Sequence, residues 1–131
     1  MPIANTPGKV FDYILKRERA LPKESQTVFK LRTLTADQWS IIWDQAGAGG
    51  QAIMSVASGL TGWENFKDAD GLPVSFKGNE SGLSDDDNLQ RMMDNLNRIA
   101  GADILELSYA IRARNVIEEI ERKNSDSERI S

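Results

Sequence analysis

Asp68, Asp70 and Gly71 are the residues whose types and spacing come closest to a chemical motif, the middle of a calcium-binding loop. Such a loop has carboxylates near its start, a glycine at its sixth position and a bidentate Glu at its twelfth. With Gly71 at the sixth position, Phe66 stands at the first and Lys77 at the twelfth. Neither side chain suits calcium, so the sequence predicts a plain turn here and no metal site.

Two other stretches begin to match motifs of phosphate or acid chemistry without completing them. Residues 47–50, Gly-Ala-Gly-Gly, lack the Gly-Lys-Ser/Thr ending with which a phosphate-binding loop engages its ligand. We interpret them as a hinge or linker. Residues 85–87 are three aspartates ahead of an apolar helical pattern, and negative charge is favourable at a helix amino terminus. This acidic run is expected to cap a helix rather than to catalyse a reaction.

The composition of the 131-residue chain excludes most catalytic chemistries. Without cysteine or histidine there is no disulfide framework, thiol nucleophile, usual zinc site or Ser-His triad. The sequence also lacks a Walker loop and a nucleophile elbow. We therefore expect no enzymatic activity, no catalytic residue and no cofactor.

Charge and hydropathy restrict the partners and the location of the chain. A formal net charge of −4 and a pI near 4.9 disfavour attraction to nucleic-acid phosphates. No apolar run approaches the roughly 20 residues that cross a bilayer. The first residues lack the basic region and apolar core of a signal peptide. We expect a cytoplasmic protein that binds neither nucleic acid nor membrane.

Three segments carry the patterns of β-strands. Residues 10–15 are rich in aromatic and branched side chains, and residues 27–32 alternate polar with apolar. The charged connection between them predicts an antiparallel pair. Residues 62–76 form two short aromatic runs around Asp70-Gly71, which predicts a complete β-hairpin. Pro73 lacks a backbone donor, so it marks the second strand as an edge strand or stands at the start of that strand.

Four helices are predicted in the remainder. Thr35 and Gln38 form a capping box, so a first helix follows to about Ala46. Its apolar stripe of Trp39, Ile42, Trp43 and Ala46 is expected to pack on the sheet. The second helix spans residues 51–59. The third carries Leu89, Met92, Met93, Leu96 and Ile99, and the fourth runs from about residue 103 to residue 123.

These elements predict an α+β fold, in which a small antiparallel β-sheet with hairpins in the N-terminal half and centre is covered by about four helices. The C-terminal third is helical. Residues 1–8, with two prolines and a glycine, are interpreted as a flexible leader. Residues 9–123 are expected to form a single domain, and residues 124–131 a flexible tail.

The last helix has two apolar stripes. Tyr109, Ala113, Val116 and Ile120 lie on one face, whereas Ile104, Leu107 and Ile111 lie on another. One stripe is enough for the domain core. The second is therefore expected to be covered by the preceding helix or by a partner, because small domains rarely expose large apolar patches.

The chain resembles the small tail assembly chaperones of long-tailed bacteriophages over most of its length. The resemblance lies in residues 17–35, Arg-Glu-Arg-Ala-Leu-Pro-Lys-Glu-Ser-Gln-Thr-Val-Phe-Lys-Leu-Arg-Thr-Leu-Thr, and in residues 59–71, Gly-Leu-Thr-Gly-Trp-Glu-Asn-Phe-Lys-Asp-Ala-Asp-Gly. Residues 104–111 are similar to the carboxy-terminal region of that family. The polar loop of residues 77–87 departs from the compact Pro-Val-Pro-Phe continuation that the family pattern leads us to expect.

The resemblance implies a non-catalytic protein that keeps the tape-measure protein soluble and recruits tail-tube subunits in the host bacterial cytoplasm. Such a protein leaves before the virion is finished. A homo-oligomer is possible. The alternatives are a structural virion component at the head-tail joint or tail terminus, which would form a ring, and a small phage inhibitor of a host protein.

Helix-in-groove binding uses apolar anchors at helical spacing, and methionine adapts to varied partners. We hypothesise that five residues contribute the partner-binding surface; the alternative is that all five belong to the core. They are Met92, Met93, Ile104, Leu107 and Ile111.

Overall fold

The computed structural model describes residues 9–44 and 47–130. A three-stranded antiparallel sheet and four helices form an α+β fold, so the predicted fold class is confirmed. The predicted leader, residues 1–8, lies outside the described residues. The elements in chain order are β1 (Val10–Tyr13), β2 (Val28–Arg32), α1 (Ala36–Trp43), α2 (Gly47–Gly59), β3 (Leu60–Glu64), α3 (Asp85–Asn97) and α4 (Gly101–Ile130).

The sheet has the order β1-β2-β3, and β2 is its central strand. The predicted antiparallel pairing of the first two strands is confirmed, with Tyr13 opposite Phe29. On the other side of β2, Phe29 pairs with Trp63. Phe29 and Leu31 are buried while their neighbours on β2 are half-buried, so the alternation in the sequence marks the core face of this strand.

The predicted hairpin of residues 62–76 forms only in part. Its first run is β3, which pairs with β2, but beyond the strand only a single bridge joins Lys67 to Pro73. Asn65 has a positive φ of 58° and its side-chain amide donates to the backbone oxygens of Glu24 and Gln26. The prediction of a full second strand is wrong because this left-handed residue turns the chain away from the sheet.

An aromatic cluster helps to hold the returning segment, in addition to the backbone hydrogen bonds from Asp68 N–H to the Leu72 carbonyl and from Val74 N–H to the Phe66 carbonyl. The Trp63 indole N–H donates to the Val74 carbonyl at 2.7 Å. The Trp63 ring meets Phe66 and Phe76 edge-on, with ring centroids 4.9 and 5.0 Å apart. Such edge-to-face pairs stabilise beyond their buried area. The four aromatic rings therefore fix residues 66–76 against β2 and β3; the fourth ring is Phe29.

The amino ends of α1 and α3 lie where the sequence patterns predict them. Thr35 and Gln38 form the predicted capping box, with Gln38 N–H donating to the Thr35 hydroxyl and Thr35 N–H to the Gln38 side chain. The aspartates of residues 85–87 form the first turn of α3, and Ser84 caps it. The predicted capping box is confirmed, and the aspartates lie at the amino end of α3 as predicted, although the capping side chain there is that of Ser84.

Other helix boundaries differ from the prediction. Residues 47–50 are the first turn of α2 rather than a linker. The backbone of α4 continues to Ile130, past the predicted end at residue 123, while the predicted flexibility of residues 124–131 is not tested. In α1, Ile42 is buried and Trp39 half-buried, but Trp43 is exposed and does not pack on the sheet. Ala46, predicted to join that stripe, lies outside the described residues.

One hydrophobic core joins the sheet, α2 and α4, and the helix α2 packs against α4. Within residues 9–44 and 47–130, no helix combines the length and apolar character that a membrane span requires. The core is built from side chains of nearly every element. Its buried members are Leu15, Phe29, Leu31, Leu34, Ile42, Val56, Leu60, Leu96, Ile99, Leu107 and Ile111.

Candidate functional site

The residues that come closest to a metal motif serve as a turn. The Asp68 carboxylate accepts the backbone N–H groups of Asp70 and Leu72 at 2.9 and 3.0 Å. Gly71 has a φ of 78°, which the turn requires and glycine adopts at little cost. In the part of the chain that the structure describes, no three or more His, Cys, Asp or Glu side chains converge as a metal site would need.

The structure corrects the predicted partner surface on α4. Leu107 and Ile111 are 0 % exposed in the centre of the core, so a partner cannot reach them unless the fold opens. Ile104 is partly buried and packs against the same core. These three residues therefore match the alternative hypothesis, that they belong to the core. The sequence could not decide which apolar stripe of α4 faces inward, since both have helical spacing.

Met92 does lie at a surface, in an open groove between α2 and α3. Met54 of α2 and Met92 of α3 are both half-buried, and Leu89 at the α3 edge is 58 % exposed. Leu60 and Phe76 also line the groove, which has a volume of about 500 Å³. We call this set of five residues the methionine groove. Met93 is partly buried against the core rather than lining the groove.

The polar loop before α3 forms one wall of the groove and is fastened to α3 by side chains. Asn95 is buried and its amide exchanges two hydrogen bonds of 2.9 Å with the backbone of Lys77. Arg91 donates to the Gly78 carbonyl at 2.8 Å. Because Lys77 directly follows Phe76, these bonds also position an aromatic wall of the groove.

An ion pair reinforces the same attachment. The Lys77 ammonium lies 2.9 Å from the Asp94 carboxylate. Hydrogen bonds from Lys77 and then from Gln90 lower the pKa of Asp94 below its usual value. The pair is exposed, so its contribution to stability is small. Its effect is to hold the loop on α3 rather than to create a reactive group.

Two residues of opposite charge line the methionine groove. Arg32 lines one part of it and donates from Nε to the Ser58 carbonyl at 2.8 Å. Asp85, at the amino terminus of α3, lines another. Polar side chains, among them Ser58, Thr61 and Asn88, share the lining with the apolar ones. The arrangement suits a ligand that presents apolar side chains together with polar ones.

A second apolar surface lies on the outside of α4. The stripe of Tyr109, Ala113, Val116 and Ile120 that the sequence identified is exposed along its whole length. Leu105 and Ile117 extend it, and we call these six residues the α4 outer face. At its edge the Arg112 guanidinium lies over the Trp43 ring, 5.4 Å from the centroid, and Trp43 is 61 % exposed.

Sequence reasoning missed four of the five groove residues, which are Met54, Leu60, Phe76 and Leu89. Met54 and Leu89 each belong to predicted helices, but their patterns also fit core positions. Only the packing of α3 on α2 shows that Leu96 is buried while Leu89 is left outside.

Comparisons with models of protein families, with curated proteins and with solved structures found no match. The fold and the two surfaces define a small α+β protein whose exposed features suit protein binding.

Proposed function

We propose that the chain is a non-catalytic tail assembly chaperone of a long-tailed bacteriophage. It binds an apolar helical segment of the tape-measure protein and helps to recruit tail-tube subunits. The observation that carries the proposal is the methionine groove, an open groove whose lining includes the exposed Leu89 and two methionines. The sequence resemblance described above and a composition without cysteine or histidine support the same class of function.

The chemistry of the groove suits a client that is helical and varied in sequence. Thioether side chains are flexible and polarizable, so Met54 and Met92 can repack around different apolar side chains. An amphipathic helix presents such side chains at spacings of three and four residues. A chaperone must also release its client, and a groove formed by few side chains gives an affinity low enough for release.

Location follows from the proposed role. The chain acts in the host bacterial cytoplasm while tails are assembled, and it is absent from the finished virion. The alternative role, a structural component at the head-tail joint or tail terminus, requires the chain to remain in the particle. Mass spectrometry of purified virions separates the two, because only a structural component would be present in fixed stoichiometry.

The proposal is tested by co-expressing the chain with the tape-measure and tail-tube proteins of the same phage. Affinity capture of the chain is expected to recover the tape-measure protein in soluble form, with tail-tube protein joining the complex. Tape-measure protein expressed alone is expected to be largely insoluble. A tape-measure protein that is equally soluble without the chain, and is not captured by it, would contradict the proposed function.

A further inference from the structure

A small pocket lies where α1, α2 and α4 meet. It has a volume of about 100 Å³, and ten of the described residues line it. Trp39 and Trp43 come from α1, Ser55 from α2, and Ser108 and Arg112 from α4. None of the ten lines the methionine groove. The pocket is therefore a second candidate site, separate from the groove.

Aromatic rings surround the mouth of this pocket. Trp39 is half-buried, whereas Trp43 and Tyr109 are 61 % and 57 % exposed. A cavity of about 150 Å³ holds a benzene ring, so this smaller pocket takes one ring that projects partly through the open mouth. Aromatic rings that meet edge to face or offset stabilise each other beyond their buried area. The pocket thus suits a single six-membered aromatic ring.

Two serines in the lining offer hydrogen-bond acceptors. Ser55 and Ser108 are 4 % and 7 % exposed. The Ser55 hydroxyl donates to the Gln51 carbonyl at 2.8 Å, and the Ser108 hydroxyl donates to the Leu105 carbonyl at 2.7 Å. A hydroxyl has one proton and two lone pairs, so both oxygens can still accept a hydrogen bond but have no proton left to donate. A ring that carries an O–H donor therefore fits better than a plain hydrocarbon ring.

The mouth of the pocket is positively charged. Of the ten lining residues that the structure describes, only Arg112 carries a formal charge. Its guanidinium lies 5.4 Å from the centroid of the Trp43 ring. An arginine stacked on a ring still presents its planar set of N–H donors to a carboxylate. A ligand with a carboxylate close to its ring is therefore complementary to the mouth, although the chain as a whole is acidic.

From these features we propose that the pocket binds a tyrosine side chain within an acidic peptide segment of a partner protein. The phenol ring packs on the aromatic walls, its O–H donates to the serine oxygens, and a neighbouring Asp or Glu pairs with Arg112. A free phenol has too few atoms for firm binding, whereas a polypeptide also contacts the exposed rings of Trp43 and Tyr109. Indole, a larger ring with a donor, exceeds the volume of the pocket.

Heteronuclear NMR of the full chain tests the pocket, with the indole N–H signals of the three tryptophans as reporters. Trp39 and Trp43 line the pocket, while the Trp63 indole donates to the Val74 carbonyl in the aromatic cluster. The probe is the acetylated and amidated peptide Gly-Glu-Tyr-Glu-Gly. It is added to about 10 mM, because one anchored side chain gives a dissociation constant of about 1 mM. The Trp39 and Trp43 signals are expected to shift and the Trp63 signal to stay.

Peptide variants test the two polar contacts. With Phe in place of Tyr, the peptide lacks the O–H donor and is expected to bind about three- to tenfold more weakly. With Lys in place of both Glu residues, it meets Arg112 with a like charge and is expected to bind at least about threefold more weakly.

Protein variants locate these contacts. Replacing both serines, Ser55→Ala with Ser108→Ala, is expected to abolish the preference for the Tyr peptide over the Phe peptide. The fold is retained because each hydroxyl bonds to a carbonyl of its own helix and alanine favours helix. Arg112→Gln is expected to abolish the preference for the Glu peptide over the Lys peptide. Arg114→Gln is the matched control, since that guanidinium lies over Phe11, outside the pocket.

Unmoved Trp39 and Trp43 signals up to about 10 mM peptide, or equal shifts of all three indole signals, would overturn the proposal. So would a Phe peptide that binds the wild type as well as the Tyr peptide does, or a double-serine variant that keeps the wild-type preference. The outcome is independent of the proposed chaperone function, because the pocket and the methionine groove share no residue. A failure here leaves client capture by the groove to its own test.

Discussion

Asn65, Asn95 and Asn115 are among the asparagines that fix loops of this fold by bonding to the backbone through their side-chain amides. The amide of Asn65 donates to the backbone carbonyls of residues 24 and 26. The amides of Asn95 and Asn115 exchange hydrogen bonds with the backbones of Lys77 and Leu34, respectively. Each side-chain amide supplies the hydrogen-bond partner that the backbone of an irregular segment would otherwise lack. No local pattern identifies these roles, because the bonded residues are between 18 and 81 positions apart along the chain. This part of the structure was beyond prediction from sequence.

A titrating pair joins β1 to α4. The Tyr13 hydroxyl donates to the Glu106 carboxylate at 2.7 Å, and the Lys16 backbone N–H donates to the same oxygen. Burial, and then this hydrogen bond, raise the pKa of Tyr13 to about 12. Burial acts to raise the pKa of Glu106, but the hydrogen bonds from Tyr13 and Lys16 outweigh it and lower that pKa.

The raised pKa predicts a loss of stability in alkali. The unfolded chain loses the Tyr13 proton near pH 10.0 and the folded chain near pH 12, so the contribution of Tyr13 is complete below pH 10 and is lost between these values. Urea unfolding across this range is expected to show a smaller decline for Tyr13→Phe than for the wild type. Tyr109→Phe, at an exposed position, is the control. Equal declines for all three proteins would contradict the assignment.

Thr33 is expected to be a site where removing a hydroxyl stabilises the fold. Its side chain is 1 % exposed, and among the described residues its hydroxyl has no hydrogen-bond partner. Thr33→Val removes an unpaired buried group and is expected to raise the free energy of unfolding by about 1 kcal/mol. The control Thr27→Val removes a hydroxyl that bonds to the Asn65 carbonyl at 3.0 Å, and is expected to lower it by a similar amount. Urea denaturation that shows the same sign for both variants would refute this account.

At the scale of elements, prediction succeeded where a local rule decides the structure. The capping box of α1, the aspartates of α3 and the alternation of β2 each act within a few residues. Prediction failed where distant packing decides. The second strand of the predicted hairpin does not form, because the chain turns at Asn65 and the aromatic cluster holds the segment that follows. Packing against α2 and the sheet decides which face of α4 is buried.

The junction between α2 and α4 gives an element-scale prediction. A Cβ added to Gly59 would lie 2.6 Å from Ile111 Cδ1 and 3.2 Å from the Arg32 carbonyl oxygen. Because Ile111 is fully buried, it has little room to move, and Gly59→Ala is expected to destabilise the fold by about 1–3 kcal/mol in urea denaturation.

Two comparisons check that overlap at Gly59 is the cause. Gly78→Ala introduces a Cβ with nothing within 4 Å and is expected to change stability by less than about 1 kcal/mol. Ile111→Val removes Cδ1, the atom that the added Cβ would overlap. The double variant with Gly59→Ala is therefore expected to lose less unfolding free energy than the two single variants lose in total. Strict additivity would show that the two positions do not interfere.

At the scale of the whole molecule, the chain separates two apolar surfaces on different elements. The methionine groove is formed by α2, α3 and neighbouring segments, and the α4 outer face lies along the longest helix. The sequence identified the four-residue stripe at the centre of the outer face and one residue of the groove, Met92. It could not assign either to core or surface, because that choice depends on how the helices pack.

Because the two surfaces share no residue, a substitution on one of them can leave the other unchanged. The most direct test of the central claim is capture of the tape-measure protein by Leu89→Glu, compared with the wild type and with Leu72→Glu. Both altered residues are exposed, at 58 % and 61 %, so all three chains are expected to be equally stable and to carry comparable helix content. Thermal unfolding checks this first.

We predict that the wild type and Leu72→Glu keep the tape-measure protein soluble and captured. Leu89→Glu, with a charge at the edge of the methionine groove, is expected to lose at least about tenfold in captured protein, since burying an unpaired carboxylate is costly. Equal capture by Leu89→Glu and the wild type would contradict the claim that this groove holds the client.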